Sequence, residues 1–276
     1  MTYATLMVCL RLERANANLL AIAGDLAERF RAEAVGVVTR QPTPFVYSDS
    51  YVPPELVERD RETIRARVKA AEDEFRAALG VRAAGLHWRS SIMFGPLCDY
   101  VADEARCADL VLISADGDGF VHDPITDVHV GDLAMRAGRP LLIAPPALES
   151  IDLRRAVVGW KDTRETRRAI ADALPLLGAA DEVTVVEIAA EDDLPEARIR
   201  LADVLLWLAR HGVKAEALAA PGDGDEARAL RAIVRDRDAG LVVAGAYGHS
   251  RLREWAFGGV TRALLRDPPA CLLVSH

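Results

Sequence analysis

Cysteine is scarce and scattered: Cys9, Cys98, Cys107 and Cys271 include no CxxC pair, which excludes a zinc ribbon or a thioredoxin-like redox motif. Cys9 and Cys271 stand inside apolar, strand-like runs, where a thiol acts as a small buried hydrophobe; that fits a reducing compartment. Long apolar runs are missing too, so no membrane span is read. The opening MTYATLMVCLRLER is too short and too soon charged for a signal peptide, and the expectation is a soluble, cytoplasmic protein. Basic charge is in deficit: 34 Lys and Arg against 42 Asp and Glu leave a net charge of −8. Nucleic acid and anionic membrane are therefore excluded as main partners, since both reward a basic surface. There is no Walker loop, no GxSxG elbow and no Ser, His, Asp set with nucleophile spacing. His122, Asp123, Asp127 and His129 cluster locally, but their spacing matches no metal site. No catalytic residue and no metal ligand is assigned.

What is present is globular: 51% of the 276 residues are apolar, enough for two domains of ordinary size. The pattern alternates strand and helix throughout. In the first half, strands are read at Thr5 to Leu12, Ala34 to Thr39, Leu86 to Arg89, Leu110 to Ser114 and Leu141 to Ala144. Helices are read at Ala15 to Arg31, Pro54 to Leu79, Pro96 to Arg106 and Asp127 to Ala137. Gln41 to Pro54, with its prolines and Phe45, Tyr47 and Tyr51, reads as loop. The second half repeats the programme from Ala156 to Ser275, including a single helix over Thr163 to Leu177 and a last one near Val260 to Arg266. Such alternation implies parallel strands with right-handed crossovers, hence an α/β, doubly wound, Rossmann-like sheet in each half.

The halves are a tandem repeat. ADLVLISA from Ala108 aligns with AGLVVAGA from Ala239, and the same shift of 131 lays PLLIA at Pro140 over CLLVS at Cys271. One constant shift across two separate strands is the mark of duplication. The first strands are offset by about 150, and the proline-rich loop after Thr39 is the expected home of the extra residues. Domains are read at 1–147 and 152–276.

The functional signal is GAYGHSRLREWAFGGVT, Gly245 to Thr261, between a buried strand and a helix. Glycine lets a backbone turn sharply and approach a ligand at contact distance. The amides of a helix starting near Gly259 suit a phosphate. Tyr247 and His249 flank Gly248 and read as ligand neighbours, or as part of a solvated edge. Upstream, Lys161 follows the first strand of the second half; it reads either as a phosphate-seeking charge at a strand end or as a solvated side chain beside a helix capped by Asp162 or Thr163.

The spacing GxxGx9G resembles the nucleotide-binding signature of the universal stress protein family, with Gly245, Gly248 and Gly258 matching. The resemblance covers the second half with its loop motif, and the first half in architecture. It implies two tandem five-stranded sheets, each in strand order 3-2-1-4-5, and binding of an adenine nucleotide, ATP or AMP, with Mg entering alongside the nucleotide. It implies that Gly245 lies near the ribose, that Gly258, Gly259 and Val260 hold phosphate, and that Ile188 meets the adenine. The family's hydroxyl after the last glycine is Gly259 here, which leaves the backbone amide, and Lys161 stands where the family commonly has an acid.

Under the same shift Gly258 and Gly259 face Asp127 and Val128, so the first half is expected to bind no nucleotide through this loop. Asp127 reads there as a helix cap. The reading is a universal stress protein with one nucleotide site, in a regulatory or protective role. The alternatives are a slow ATP hydrolase or phosphoryl-transfer enzyme using Asp162, and a nucleotide-free interaction scaffold. A binding role is placed ahead of an enzymatic one. Partner expectations are pairing of the two domains within the chain and a possible homodimer.

Overall fold

A computed structural model describes residues 2–43, 53–116, 123, 125–247 and 259–276. Phe45, Tyr47, Tyr51 and His122, named above, lie outside the described residues. The front half runs β1 (Thr5–Cys9), α1 (Ala17–Phe30), β2 (Glu33–Arg40), α2 (Pro54–Leu79), β3 (Leu86–Ile92), α3 (Leu97–Glu104), β4 (Leu110–Ser114), α4 (Val130–Arg136) and β5 (Leu141–Ala144). The rear half runs β6 (Arg155–Trp160), α5 (Arg164–Asp172), α6 (Leu174–Leu177), β7 (Glu182–Ala189), α7 (Leu194–Arg210), β8 (Ala215–Pro221), α8 (Glu226–Asp236), β9 (Leu241–Gly245), α9 (Gly259–Arg266) and β10 (Cys271–Ser275).

Each half is parallel in the expected order, 3-2-1-4-5. The two five-stranded units share one ten-stranded sheet, β3-β2-β1-β4-β5-β10-β9-β6-β7-β8. The join is antiparallel, with Leu142 opposite Leu273 at its centre. Central strands such as β4, β5, β9 and β10 are buried along nearly their whole length, because helices cover both faces and leave no polar alternation to write. One face packs against α1, α2, α5 and α7, the other against α3, α4, α8 and α9.

Local chemistry sets the element ends. Pro54 opens α2 where its missing N–H costs nothing, and Ile64, Ala71, Phe75 and Leu79 give that helix a narrow buried stripe. Phe75 packs on Trp88 of β3 with ring centroids 5.6 Å apart. The single helix expected over Thr163 to Leu177 is instead two, α5 and α6. Pro175 has no N–H to continue the ladder and its ring crowds the carbonyl four residues back, which divides the helix.

The extra residues of the front half do lie between β2 and β3, but not only in the proline-rich loop. Part of the excess is helix: α2 has 26 residues and its counterpart α7 has 17.

Candidate functional site

In the rear half, β6 lies between β7 and β9, so successive connections leave it in opposite directions. The crevice at the carboxyl ends of such strands is where open α/β sheets take ligands. Lys161, Ile188 and Gly245 sit at the carboxyl ends of these three neighbouring strands.

Lys161 is exposed just beyond β6, in a tight turn closed by Thr163 N–H donating to its carbonyl at 2.6 Å. Thr163 is the cap of α5: its hydroxyl accepts from Thr166 N–H at 3.3 Å. Asp162 is held outside the helix by Arg167, which donates through Nε at 3.0 Å and Nη2 at 2.5 Å. Ile188 is half-buried on the face covered by α8 and α9, close enough to Gly222 that a Cβ there would come within 3.0 Å of it.

Gly245 answers first to packing. A Cβ on it would stand 2.6 Å from the backbone nitrogen of Thr166 and 2.7 Å from its hydroxyl, closer than real Cβ atoms come. The first turn of α5 therefore lies directly on the end of β9, and only glycine permits it. Gly259 is different. It opens α9, with nothing among the described residues within 4 Å of where a Cβ would be. Val260, next along, is half-buried against the core. Gly248, His249 and Gly258 lie outside the described residues.

Tyr247 takes the left-handed conformation, φ 59°, uncommon for a side chain of its size. Its ring crosses into the front half, where the hydroxyl occupies the space a Cβ on Gly131 of α4 would need. Burial holds its phenol above the ordinary tyrosine range, with Asp132 acting in the same direction.

The front half shows how the same architecture fills this position by itself. Strand registers place Leu6 beside Leu110 and Ala156 beside Leu241, which makes Arg11 the counterpart of Lys161. Likewise Asp116 corresponds to Tyr247, and Asp127 to Gly258. Arg11 is buried and donates to Asp116 at 2.7 Å, while Asp127 lies 4.0 Å away on the other side. Arg11 is itself fixed at the backbone: its N–H donates to Asn16 Oδ1 at 2.9 Å and its carbonyl accepts from Asn16 Nδ2 at 3.0 Å. Two carboxylates thus stand around the front cation, where a pair this buried offsets its own desolvation cost only with close partners.

Asp127 is therefore not the helix cap expected. α4 begins three residues later with His129 as its cap, Nδ1 accepting from Asp132 N–H at 3.3 Å, and Asp127 turns inward toward Arg11. Beside this cluster, among the described residues, lies a cavity of about 20 Å³ bordered by Cys9, Arg11, Thr39 and Val128, room for about one water. Burial pushes the Cys9 thiol up to about 12, opposed in part by Arg11.

Arg11, Asn16 and Asp116 were not singled out from the sequence. The signal was available in the second offset: carried along the first strands, about 150 places, it pairs Arg11 with Lys161. Among the described residues no group of three His, Cys, Asp or Glu side chains could hold a metal, and no helix is long and apolar enough to cross a membrane.

No protein-family model matches the sequence, and no curated protein matches it. Solved structures do. A universal stress protein from Archaeoglobus fulgidus DSM 4304 is similar over 98% of this chain and 97% of its own, with a TM-score of 0.74 at 13% identity. A protein from Pseudomonas aeruginosa UCBPP-PA14, provisionally assigned to the universal stress proteins, is similar over 99% of this chain and 93% of its own, with a TM-score of 0.64 at 14% identity. A universal stress protein in complex with cAMP matches 53% of this chain and all of its own, at 19% identity and a TM-score of 0.36. The chain thus carries, end to end, the fold of the two-domain universal stress proteins.

Proposed function

We propose that the rear half binds an adenine nucleotide, ATP or AMP, at the carboxyl ends of β6, β7 and β9, and that the chain serves as a regulatory or protective module in a stress response. One observation carries the reading: Lys161, Ile188 and Gly245 come together at the carboxyl ends of three neighbouring strands, the crevice where open α/β sheets take ligands, and the glycine-rich stretch Gly245 to Thr261 runs on from there into α9. At the matching positions the front half carries Arg11, Asp116 and Asp127, which pair with one another, and the rear half carries Lys161, Tyr247 and Gly258 in sequence.

The residues present fit such a ligand. Gly259 has, among the described residues, clear space beside it at the first turn of α9, whose amides suit a phosphate; Lys161 supplies an exposed cation; Ile188 offers an apolar surface to a base. Mg would enter together with the nucleotide's phosphates. A reducing, cytoplasmic setting accords with four unpaired cysteines.

The test is calorimetric titration of the full chain with ATP and with AMP. The expected result is one site per chain, lost in Gly258→Asp, which copies the front half, and weakened about tenfold in Lys161→Met, the loss of one charged hydrogen bond. Absence of any heat or thermal stabilisation at millimolar nucleotide, with the wild-type chain folded, would overturn the proposal. The hydrolase alternative has less support, because Asp162, its carboxylate, is engaged by Arg167.

A further inference from the structure

Helix α7 carries an apolar face on the side turned away from the sheet. Its inner positions Ala197, Leu201, Val204 and Leu208 are buried. Ile199 and Leu206 are 67% and 59% exposed, and being seven residues apart they stand two turns apart on one face. Pro195, Ala202 and Ala209, all exposed, extend them into a stripe with alternating steps of four and three. That is the spacing of a helix seam. The other large exposed hydrophobics among the described residues, Val81 and Phe94, lie singly outside helices and strands and form no such line.

The charges beside the stripe have a direction. Glu196, Asp203 and Arg210 follow one another at seven-residue intervals along one edge, acid in the first turn and base in the last. A parallel partner helix related by a two-fold axis would turn this edge toward the other edge of its copy, where Arg198 and Leu205 stand, so Glu196 and Arg210 would not meet. An antiparallel one turns this edge toward itself and sets Glu196 beside Arg210 at both ends.

We propose that this face of α7 is a self-association surface, on which the same helix of a second copy packs antiparallel about a two-fold axis beside Ala202 and Asp203. Ile199 then meets the partner's Leu206, and Glu196 meets the partner's Arg210, each contact made twice by symmetry. Ala202 at the centre lets the helices approach closely. Asp203 lies next to the axis and faces its own copy, the one like-charge meeting along this edge. The stripe from Pro195 to Ala209 is roughly 21 Å long at about 1.5 Å per residue, so the contact falls below the size of a permanent interface and the dimer forms reversibly with concentration. The inference is independent of the nucleotide proposal, since α7 lies outside the residues assigned to that site.

Sedimentation velocity of the full chain over a range of concentrations tests it. The wild-type chain is expected to shift from monomer to dimer as concentration rises. Leu206→Glu weakens the dimer about tenfold or more, as removal of a central apolar contact does, while Val81→Glu, the same kind of change at a more exposed position elsewhere, leaves it as it was. Glu196→Arg and Arg210→Glu each weaken it about fivefold through two symmetric surface pairs, and the double variant regains wild-type association. Asp203→Asn strengthens it. All are exposed positions, and circular dichroism verifies that each variant is folded. A wild-type chain that stays monomeric at several hundred micromolar, a Leu206→Glu variant that dimerises unchanged, or a charge-swapped double variant no better than the singles overturns the proposal.

Discussion

Arg11 and Lys161 occupy the same place in the two halves, beyond the carboxyl end of the central strand, and they differ in burial. Arg11 is 7% exposed and faces Asp116 and Asp127; Lys161 is exposed. The same strand-end place thus holds a buried ion pair in front and an exposed lysine in the rear.

The front cluster predicts a cost for opening it. Arg11→Met leaves the buried Asp127 and the half-buried Asp116 without their guanidinium, and removing one member of a buried pair destabilises by about 3–5 kcal/mol. Urea denaturation followed by circular dichroism measures this. A loss under about 1 kcal/mol would mean that solvent screens the pair.

Gly245 predicts a packing defect distinct from any binding defect. Gly245→Ala places a methyl 2.6 Å from the Thr166 nitrogen, and separating α5 from β9 costs about 1–3 kcal/mol of overpacking. Thermal melting without nucleotide reads it. Unchanged melting with weakened nucleotide binding would assign Gly245 to the ligand instead of the fold.

Tyr3 predicts alkaline sensitivity. Its hydroxyl donates to the Asp172 carbonyl at 2.6 Å, joining the front half to α5 of the rear half. Burial, then the charges of Asp172 and Asp109, push its phenol above the ordinary range. Because the folded value is raised, the neutral phenol's contribution is complete below about pH 10, where an unfolded tyrosine titrates, and is lost progressively as pH rises beyond it. Tyr3→Phe should cost about 1 kcal/mol at neutral pH and flatten the fall in stability between about pH 10 and 11. A slope identical in both proteins would assign the alkaline loss to other groups.

Much of the architecture was legible because it rests on local signals. Apolar runs such as LVLIS at Leu110 have two buried faces, helices such as α2 have a stripe, and the constant shift between Ala108 and Ala239 joins the halves into a repeat. The failures are places where a tertiary neighbour outweighed a local rule. Asp127 has the chemistry of a cap, but a buried guanidinium nearby gains more from it. The helix expected over Thr163 to Leu177 had its break written in Pro175, a breaker passed over because the apolar spacing continued through it. Lys161 stood out as chemistry, yet its counterpart Arg11 did not, since an arginine after a strand is unremarkable until the strand registers are known. Gly245 is legible as glycine, but its close contact with α5 is not, because the sequence holds no distance between a strand end and a helix that begins eighty residues earlier.

The antiparallel seam between β5 and β10 bears on how the molecule is made. A ribosome delivers β5 long before β10, so the nascent front half waits with the fully buried strand LLIA as an open, sticky rim. Only when CLLVS pairs with it is that rim sealed and the ten-stranded sheet complete.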